Sequence, residues 1–333
     1  MNPEGRLKQQ KREVLRLSIL CVGEMVADIV VRPVPAMDTL PDSVTVEQID
    51  IVNGGDALNT AVGLGRMGCE VSFIGRAGND EFGRKIIENA RSAGVCMDHV
   101  RYSSRRASSK VIALIREDGA RNFLHCPGSN EEFCLDDIPE AVLREHRHFH
   151  IGGTFHLPAF DGFGAAEALR RAKALGLTTS MDVAFDHSGR WLETIRCCMP
   201  FLDYFLPSLG EAECMLHTSA PREIAAALKE LGAKNIILKM GEGGSYCSPE
   251  TGGAFACGCY HVDTVDTTGA GDAFVGGFIG ALDRGEPLRE CVVWGTAAAA
   301  FAVRSVGAST GIPDYKTLLH FINSTERLAI EFE

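Results

Sequence analysis

The sequence predicts an α/β fold: a three-layer α-β-α sandwich with a mostly parallel central sheet and a small β-sheet lid. Two patterns carry this expectation. Short β-rich runs alternate with longer helical runs along most of the chain, an order that favours parallel strands covered by helices. Between Lys110 and His125 that order gives way to two β-rich runs joined across Asp118-Gly119, which read as a hairpin standing off the main sheet. At 333 residues the chain can form one large domain, and no internal repeat or long linker divides it.

Taken in order, residues 1–17 are polar and basic and read as a flexible leader. Ser18 to Val22 is a buried strand closing on Gly23. From Val30 to Ile51 β-branched residues are interrupted by Pro33, Pro35 and Pro41, a texture suited to part of a lid. Asn53-Gly-Gly-Asp56 then opens a helix with Ala57, Ala61, Val62, Leu64 and Gly65 on one face. Val71 to Ile74 is a short strand, and Asp80 can cap the helix carrying Phe82, Ile86, Ile87 and Ala90. The lid is expected from about 30–52 and 99–126, as a small antiparallel layer.

Alternation resumes with strands at His148–Gly152, Thr178–Asp182, Tyr204–Leu206 and Asn235–Lys239, and helices at Gly162–Leu175 and Pro221–Leu231. Residues 272–282 and 290–303 read as apolar helices rich in small residues. The main domain spans 18–315, and 316–333 form a C-terminal extension packed on it.

Composition narrows the function classes. Lys and Arg number 33 against 44 Asp and Glu, a formal charge of -11, which argues against a broad nucleic-acid-binding surface. No apolar run reaches membrane-spanning length. The 12 cysteines follow no metal-ligand spacing and no secretory signal, so they read as reduced thiols of a cytoplasmic protein. His146, His148 and His150 alternate beside two arginines and read as a polar edge rather than a metal site.

The most informative stretch is Val265-Asp-Thr-Thr-Gly-Ala-Gly-Asp-Ala-Phe274. Gly269, Ala270 and Gly271 precede a helix, so their N–H groups can turn inward as an anion cradle. Asp272 is a simple helix-start carboxylate on one account. On the other it removes a proton from an acceptor hydroxyl while the amides face a transferring phosphoryl group.

That run, together with Gly54-Gly-Asp-Ala-Leu-Asn59, resembles the two signatures of the ribokinase-like family, the PfkB carbohydrate kinases, over roughly residues 18–315. The resemblance implies ATP-dependent phosphorylation of a small-molecule hydroxyl. Gly241-Glu-Gly-Gly-Ser245 lacks the Gly-Lys-Ser/Thr ending of a P-loop, so this is not a Walker-type enzyme.

By position, Asp272 matches the family's general base, and Gly269, Ala270 and Gly271 its anion hole. Asp28, Gly54, Gly55 and Asn59 match the acceptor-binding elements. Lys239, Gly241, Gly243 and Gly244 match the loop beside the ATP phosphates and ribose, and Thr296 begins the small-residue helix along the adenine pocket. Ser208-Leu-Gly-Glu211 stands where the family has Asn-x-x-Glu. Glu211 keeps the acid associated with Mg²⁺ through water, and Ser208 replaces the asparagine as a phosphate or water contact. A monovalent-cation site, K⁺, would use Asp266 and Thr268 with backbone groups of Ala302, Ser305 and Gly307.

A sugar leads as acceptor: a ketose, an aldose or a keto-deoxy sugar acid. Asp56-Ala57 departs from the Gly-Gly-Lys-Gly of the ribokinase subgroup, as does Val26 from its polar counterpart. Asp182 to Trp191 resembles a segment of fructokinases and 2-keto-3-deoxygluconate kinases, in which Arg190 would suit an acidic sugar or pair structurally. A nucleoside is the alternative, with Phe123 or Phe155 over a base. Kinases of small heterocyclic alcohols and a catalytically silent nucleotide- or sugar-binding regulatory protein are further alternatives. The open edges of the lid suit a homodimer.

Overall fold

The computed structural model describes residues 17–35, 42–116 and 120–333. The leader thus lies outside the described residues except for Leu17, where β1 (Leu17–Gly23) begins. β2 (Val26–Val34) and β3 (Gln48–Gly54) leave the body as an antiparallel pair, and α1 (Asp56–Arg66) brings the chain back. β4 (Val71–Ile74) lies parallel to β1. β5 (Arg76–Gly78), α2 (Glu81–Ser92) and β6 (Val95–Cys96) follow, then β7 (Arg101–Ser103), which pairs with β5. Asp80 caps α2 by accepting from the Gly83 N–H at 2.8 Å.

β8 (Lys110–Arg116) and β9 (Arg121–Cys126) complete the lid in the order β3-β2-β8-β9. The Asp118-Gly119 turn lies outside the described residues. The expected antiparallel layer is in fact mixed, because β2 and β8 run parallel. The chain visits the main sheet between these strands and re-enters the lid from the same end. Residues 101–103 are not in the lid sheet; their partner is β5.

β10 (His146–Thr154), α3 (Phe163–Ala174), β11 (Thr178–Val183), β12 (Tyr204–Phe205), α4 (Leu209–Leu216), α5 (Pro221–Glu230) and β13 (Asn235–Lys239) extend the main sheet in parallel. β14 (Ser245–Ser248) and β15 (Phe255–Cys257) turn antiparallel. After α6 (Ala270–Asp283), α7 (Leu288–Ala302) and α8 (Tyr315–Ser324), β16 (Ile330–Phe332) pairs with β15. The segment read as an extension therefore supplies the edge of the ten-stranded sheet.

Alternate residues of β1 explain the three layers. Ile19 and Cys21 enter one core with α1, α2, α6 and α7, while Leu20 and Val22 enter the other with α3 and α5. A strand covered on both faces requires an unbroken apolar run, which Ser18 to Val22 nearly is. The same geometry overturns the polar-edge reading of the histidines. All three lie in β10, with His146 and His150 at 0% and His148 at 4% exposure. His148 Nε2 and His150 Nδ1 lie 2.8 and 2.9 Å from Ser180 Oγ. Burial holds His148 down at about 4 and His150 well below its ordinary range. No helix of the described residues is long and apolar enough to cross a membrane.

α6 and α7 approach closely because small residues face each other. A Cβ on Gly277 would lie 2.6 Å from the Trp294 carbonyl oxygen and 2.9 Å from Ala298 Cβ. Gly277→Ala should therefore overpack the helix pair and cost about 1–3 kcal/mol in urea unfolding. An unchanged midpoint would show that these helices can separate freely.

Candidate active site

β1 lies between β10 and β4, where the strand order reverses, and the carboxyl ends of the parallel strands open there into a cavity of about 960 Å³. The lid roofs it. Asp28, Val111 and His125 sit in one cross-strand row of β2, β8 and β9, and all three line the cavity.

The floor is the N-terminus of α6. Gly269 has φ 75°, and a Cβ there would come within 2.3 Å of the Ala308 carbonyl oxygen. The Ala270 N–H donates to Thr267 O at 3.2 Å. Gly271 and Asp272 remain as first-turn donors with no intrahelical acceptor. Asp272 itself is buried, and its Oδ2 accepts from Asn59 Nδ2 at 2.8 Å. Burial is the main cause that lifts its carboxyl to about 7; Asn59 and Lys239 pull it down, and Asp182 and Glu24 push it up. Asn59, expected on the acceptor side, thus holds the carboxylate, while its Oδ1 is buried without a partner.

On the lid side, Asp28 is lifted to about 7 by burial, reinforced by Glu24, Asp272 and Asp266. Gly54 stands beside it across β2 and β3, where a Cβ would lie 2.3 Å from the Asp28 carboxylate. Gly55 has φ 86° and would press a Cβ to 2.8 Å from the Glu24 carbonyl oxygen. Both glycines therefore have a steric reason of their own. Asp56 lines the cavity, raised by burial and by neighbouring carboxylates. Glu24 is buried and lies 3.1 Å from His156 Nδ1; burial opposes the imidazolium, but Glu24 raises it above its ordinary range. His156 stacks on His187 with ring centroids 6.2 Å apart, and Phe185 is 5.1 Å from His187. Phe155 turns away from the cavity onto Trp191, at 5.6 Å. Arg190 is exposed on its own turn, 3.4 Å from Ser188 Oγ, and does not line the cavity.

At the opposite end, Lys239 Nζ donates to Asp182 Oδ2 at 2.5 Å and would lie 3.3 Å from a Cβ on Gly271. Burial works against its charge, but Asp182 and Glu211 raise Lys239 above its usual range. Among the described residues it is the only Lys or Arg lining the cavity. Ser208 and Glu211 form a reciprocal cap on α4: Ser208 Oγ accepts from Glu211 N at 3.2 Å, and Ser208 N donates to Glu211 Oε2 at 2.7 Å. This cap accounts for Ser208 without a ligand, although both residues line the cavity. Gly241 and Gly244 line it, and Gly243 does not. Gly244 is forced to be glycine by Cys257 O, 2.0 Å from where its Cβ would be. Thr296 lines the wall while donating to Val292 O at 2.9 Å.

The cation set expected around Asp266 is assembled differently. Asp266 Oδ1 accepts from Arg121 Nη1 at 2.5 Å and Thr268 N at 2.9 Å, and Oδ2 accepts from Gly307 N at 3.0 Å. Gly307 thus turns its N–H to the site, and Ala302 O is taken by Ser305 N at 3.2 Å. These residues do not fit a bound K⁺, because a guanidinium already balances the carboxylate. Sequence reasoning missed Arg121 and Glu24 as site members, and it placed Lys239 in the site without its partner Asp182. Asp182 had a signal in ending a predicted parallel strand, and Glu24 in following one just after Gly23; Arg121 had none.

A buried carboxylate near neutrality, beside first-turn amides and an ammonium, can accept a proton from a hydroxyl while its neighbours hold an anion. The chain matches the pfkB family carbohydrate kinase model over residues 16–315. It is 30% identical to an uncharacterized sugar kinase of Archaeoglobus fulgidus, over 76% of this chain and 98% of that one. It is 29% identical to the aminoimidazole riboside kinase of Salmonella typhimurium, over 81% of this chain and 88% of that one. The solved ribokinase of Thermotoga maritima superposes with a TM-score of 0.78 at 27% identity, covering 92% of this chain and 100% of that one. The chain belongs to the pfkB family of carbohydrate kinases, enzymes that phosphorylate sugars with ATP.

Proposed function

We propose that the chain transfers the γ-phosphoryl group of ATP to a hydroxyl of a neutral sugar, with Asp272 as the base that takes the hydroxyl proton. The observation that carries this reading is the Asp272 carboxylate, buried at the start of α6, held by Asn59 and lifted to about 7. The acceptor lies between Asp28 and Asp272, with Gly54 leaving room for the Asp28 carboxylate and Gly55 for the close approach of the Glu24 backbone. The free first-turn amides of Gly271 and Asp272, reached past Gly269 and Ala270, and the Lys239 ammonium meet the charge growing on the phosphoryl group. Gly241, Gly244, Ser208 and Thr296 line the nucleotide side, with Gly243 inside the turn that carries the two glycines.

Mg²⁺, when bound with ATP, neutralises phosphate charge. No cluster of three or more His, Cys, Asp or Glu among the described residues could hold a metal unaided, which suits an ion carried by phosphates and water. Glu211, with one oxygen in its cap, would receive that water.

Charge selects the acceptor class. Glu24, Asp28 and Asp56 line the acceptor end, and Lys239 is committed to Asp182 and the anion cradle. With Arg190 outside the cavity, the described residues offer a sugar acid's carboxylate no unpaired Lys or Arg, and the raised His156 imidazole is matched to Glu24. A nucleoside is the second reading, favoured by the half-exposed rings of Phe123 and Phe185 on the cavity wall and by the name of the Salmonella relative. The twelve unpaired cysteines suit the reducing cytoplasm.

The lid's outer face supports a homodimer. Ile51, Ile29, Ile112 and Leu124 form one cross-strand row, opposite in phase to Asp28 and its cavity-facing neighbours. Ile49 and Leu124 are 63% and 53% exposed. A second copy laid lid to lid would cover this row.

Asp272→Asn should retain ATP binding and lose about 10²–10⁴-fold in kcat. The wild-type rate should fall about tenfold per pH unit below about 7, because the protonated carboxyl cannot accept the proton, and level off above it. The native state holds this proton more tightly than the unfolded chain, so ionisation costs stability as pH rises from the ordinary 3.8 towards 7. Asp272→Asn should then unfold no more easily than wild type at neutral pH, separating lost chemistry from lost structure. Near-normal turnover of this variant removes Asp272 from the role.

ATP consumption with product identification, run over ketoses, aldoses, sugar acids and nucleosides, should favour a neutral acceptor. A sugar acid as best substrate overturns the charge argument, and a nucleoside selects the second reading. Sedimentation should find a dimer that Ile51→Glu converts to monomers; a monomeric wild type removes the lid interface.

A further inference from the structure

We propose that Arg121 supplies, from the lid, the positive charge that a bound monovalent cation would otherwise supply beside the anion cradle, so that this kinase works without K⁺. Arg121 opens β9, and its guanidinium reaches the loop that precedes α6. Nη1 donates to Asp266 Oδ1 at 2.5 Å and to Thr268 Oγ1 at 2.6 Å, and Nη2 donates to Thr267 Oγ1 at 2.9 Å. One planar group therefore holds three consecutive side chains immediately before Gly269. The Asp266 side chain is 5% exposed, and its charge is matched within the protein. A K⁺ seated on the same carboxylate would meet the guanidinium's like charge and would have to displace hydrogen bonds already made.

The source of the charge matters. Arg121, Phe123 and His125 alternate along β9, and Phe123 and His125 line the cavity. The same face of one lid strand thus meets the acceptor and pins the phosphate-side loop. A dissolved cation would order that loop whether or not the lid was down. Arg121 can do so only while the lid is in place, so ordering of the cradle is tied to coverage of the acceptor. Arg121 does not line the cavity and is a positioning residue, acting through Asp266, Thr267 and Thr268.

The inference rests on the ATP-kinase reading, but its test needs neither ATP nor an acceptor. The full chain is unfolded thermally in KCl, NaCl and tetramethylammonium chloride at equal ionic strength. Wild type should give the same Tm in all three salts. Arg121→Ala and Arg121→Gln, which vacate Asp266, should gain a K⁺-selective rise in Tm on the order of 2–5 °C. Arg121→Lys, which keeps a charge, should stay indifferent to K⁺. A K⁺-selective rise in wild type overturns the proposal outright, even if no variant folds. Neutral variants that fold and remain indifferent to the cation overturn it as well, because Arg121 would then not be filling a cation's place. A failure of kinase activity on the acceptor panel leaves these Tm outcomes unaffected, so the two readings fail separately.

Discussion

A 2.8 Å hydrogen bond from Asn59 to Asp272 joins residues 213 positions apart and sets the geometry on which the site depends. It clamps the N-terminal turns of α1 and α6 together, and the Thr60 hydroxyl adds a 3.4 Å contact to the Asp272 carbonyl. Each helix alone would end in unsatisfied amides and an exposed acid. Packed together, they bury the carboxylate where ionisation is costly, and the low dielectric that raises it also strengthens the field of Lys239 and the first-turn amides. The small residues of α1, α6 and α7 are what allow this approach.

Around that clamp the acids are layered by partner. Asp182 has Lys239, Asp266 has Arg121, and Glu211 has the backbone of its own cap. Asp28 and Asp56 are left facing the cavity, each raised by burial and then by the charges of Glu24 and Asp272. Carboxylates that cannot pair within the protein are suited to accept hydrogen bonds from hydroxyls, which satisfy them without adding a charge. The acceptor class follows from which acids remain unneutralised more than from any one contact.

Much of this was legible in the sequence because local rules and fold agreed. Ser18 to Val22 could be buried on both faces, Asp80 preceded a helix three residues before the amide it caps, and Gly269 preceded a turn that needs φ above zero. What escaped notice depended on partners distant in sequence. Three alternating histidines beside arginines look polar until β11 brings Ser180 to satisfy two of them. The parallel pairing of β2 and β8 is set by a detour through the main sheet that no window of residues reveals. Arg121 sits in an ordinary strand opening, and its place beside Asp266, 145 positions on, is created by the lid folding over. Ser208 shows the converse: its match to a ligand-binding position was visible, but its capping bond to Glu211 explains the residue by itself.

The last strand has a practical bearing on how the protein is handled. β16 pairs with β15, the Glu333 N–H donates to Ala254 O at 3.0 Å, and Glu333 Oε2 accepts from the Tyr246 hydroxyl at 2.9 Å. These final residues shield the backbone of β15, which would otherwise be a bare sheet edge. Deleting residues 330–333 would move the sheet edge inward from β16 to β15 and remove the Tyr246–Glu333 hydrogen bond.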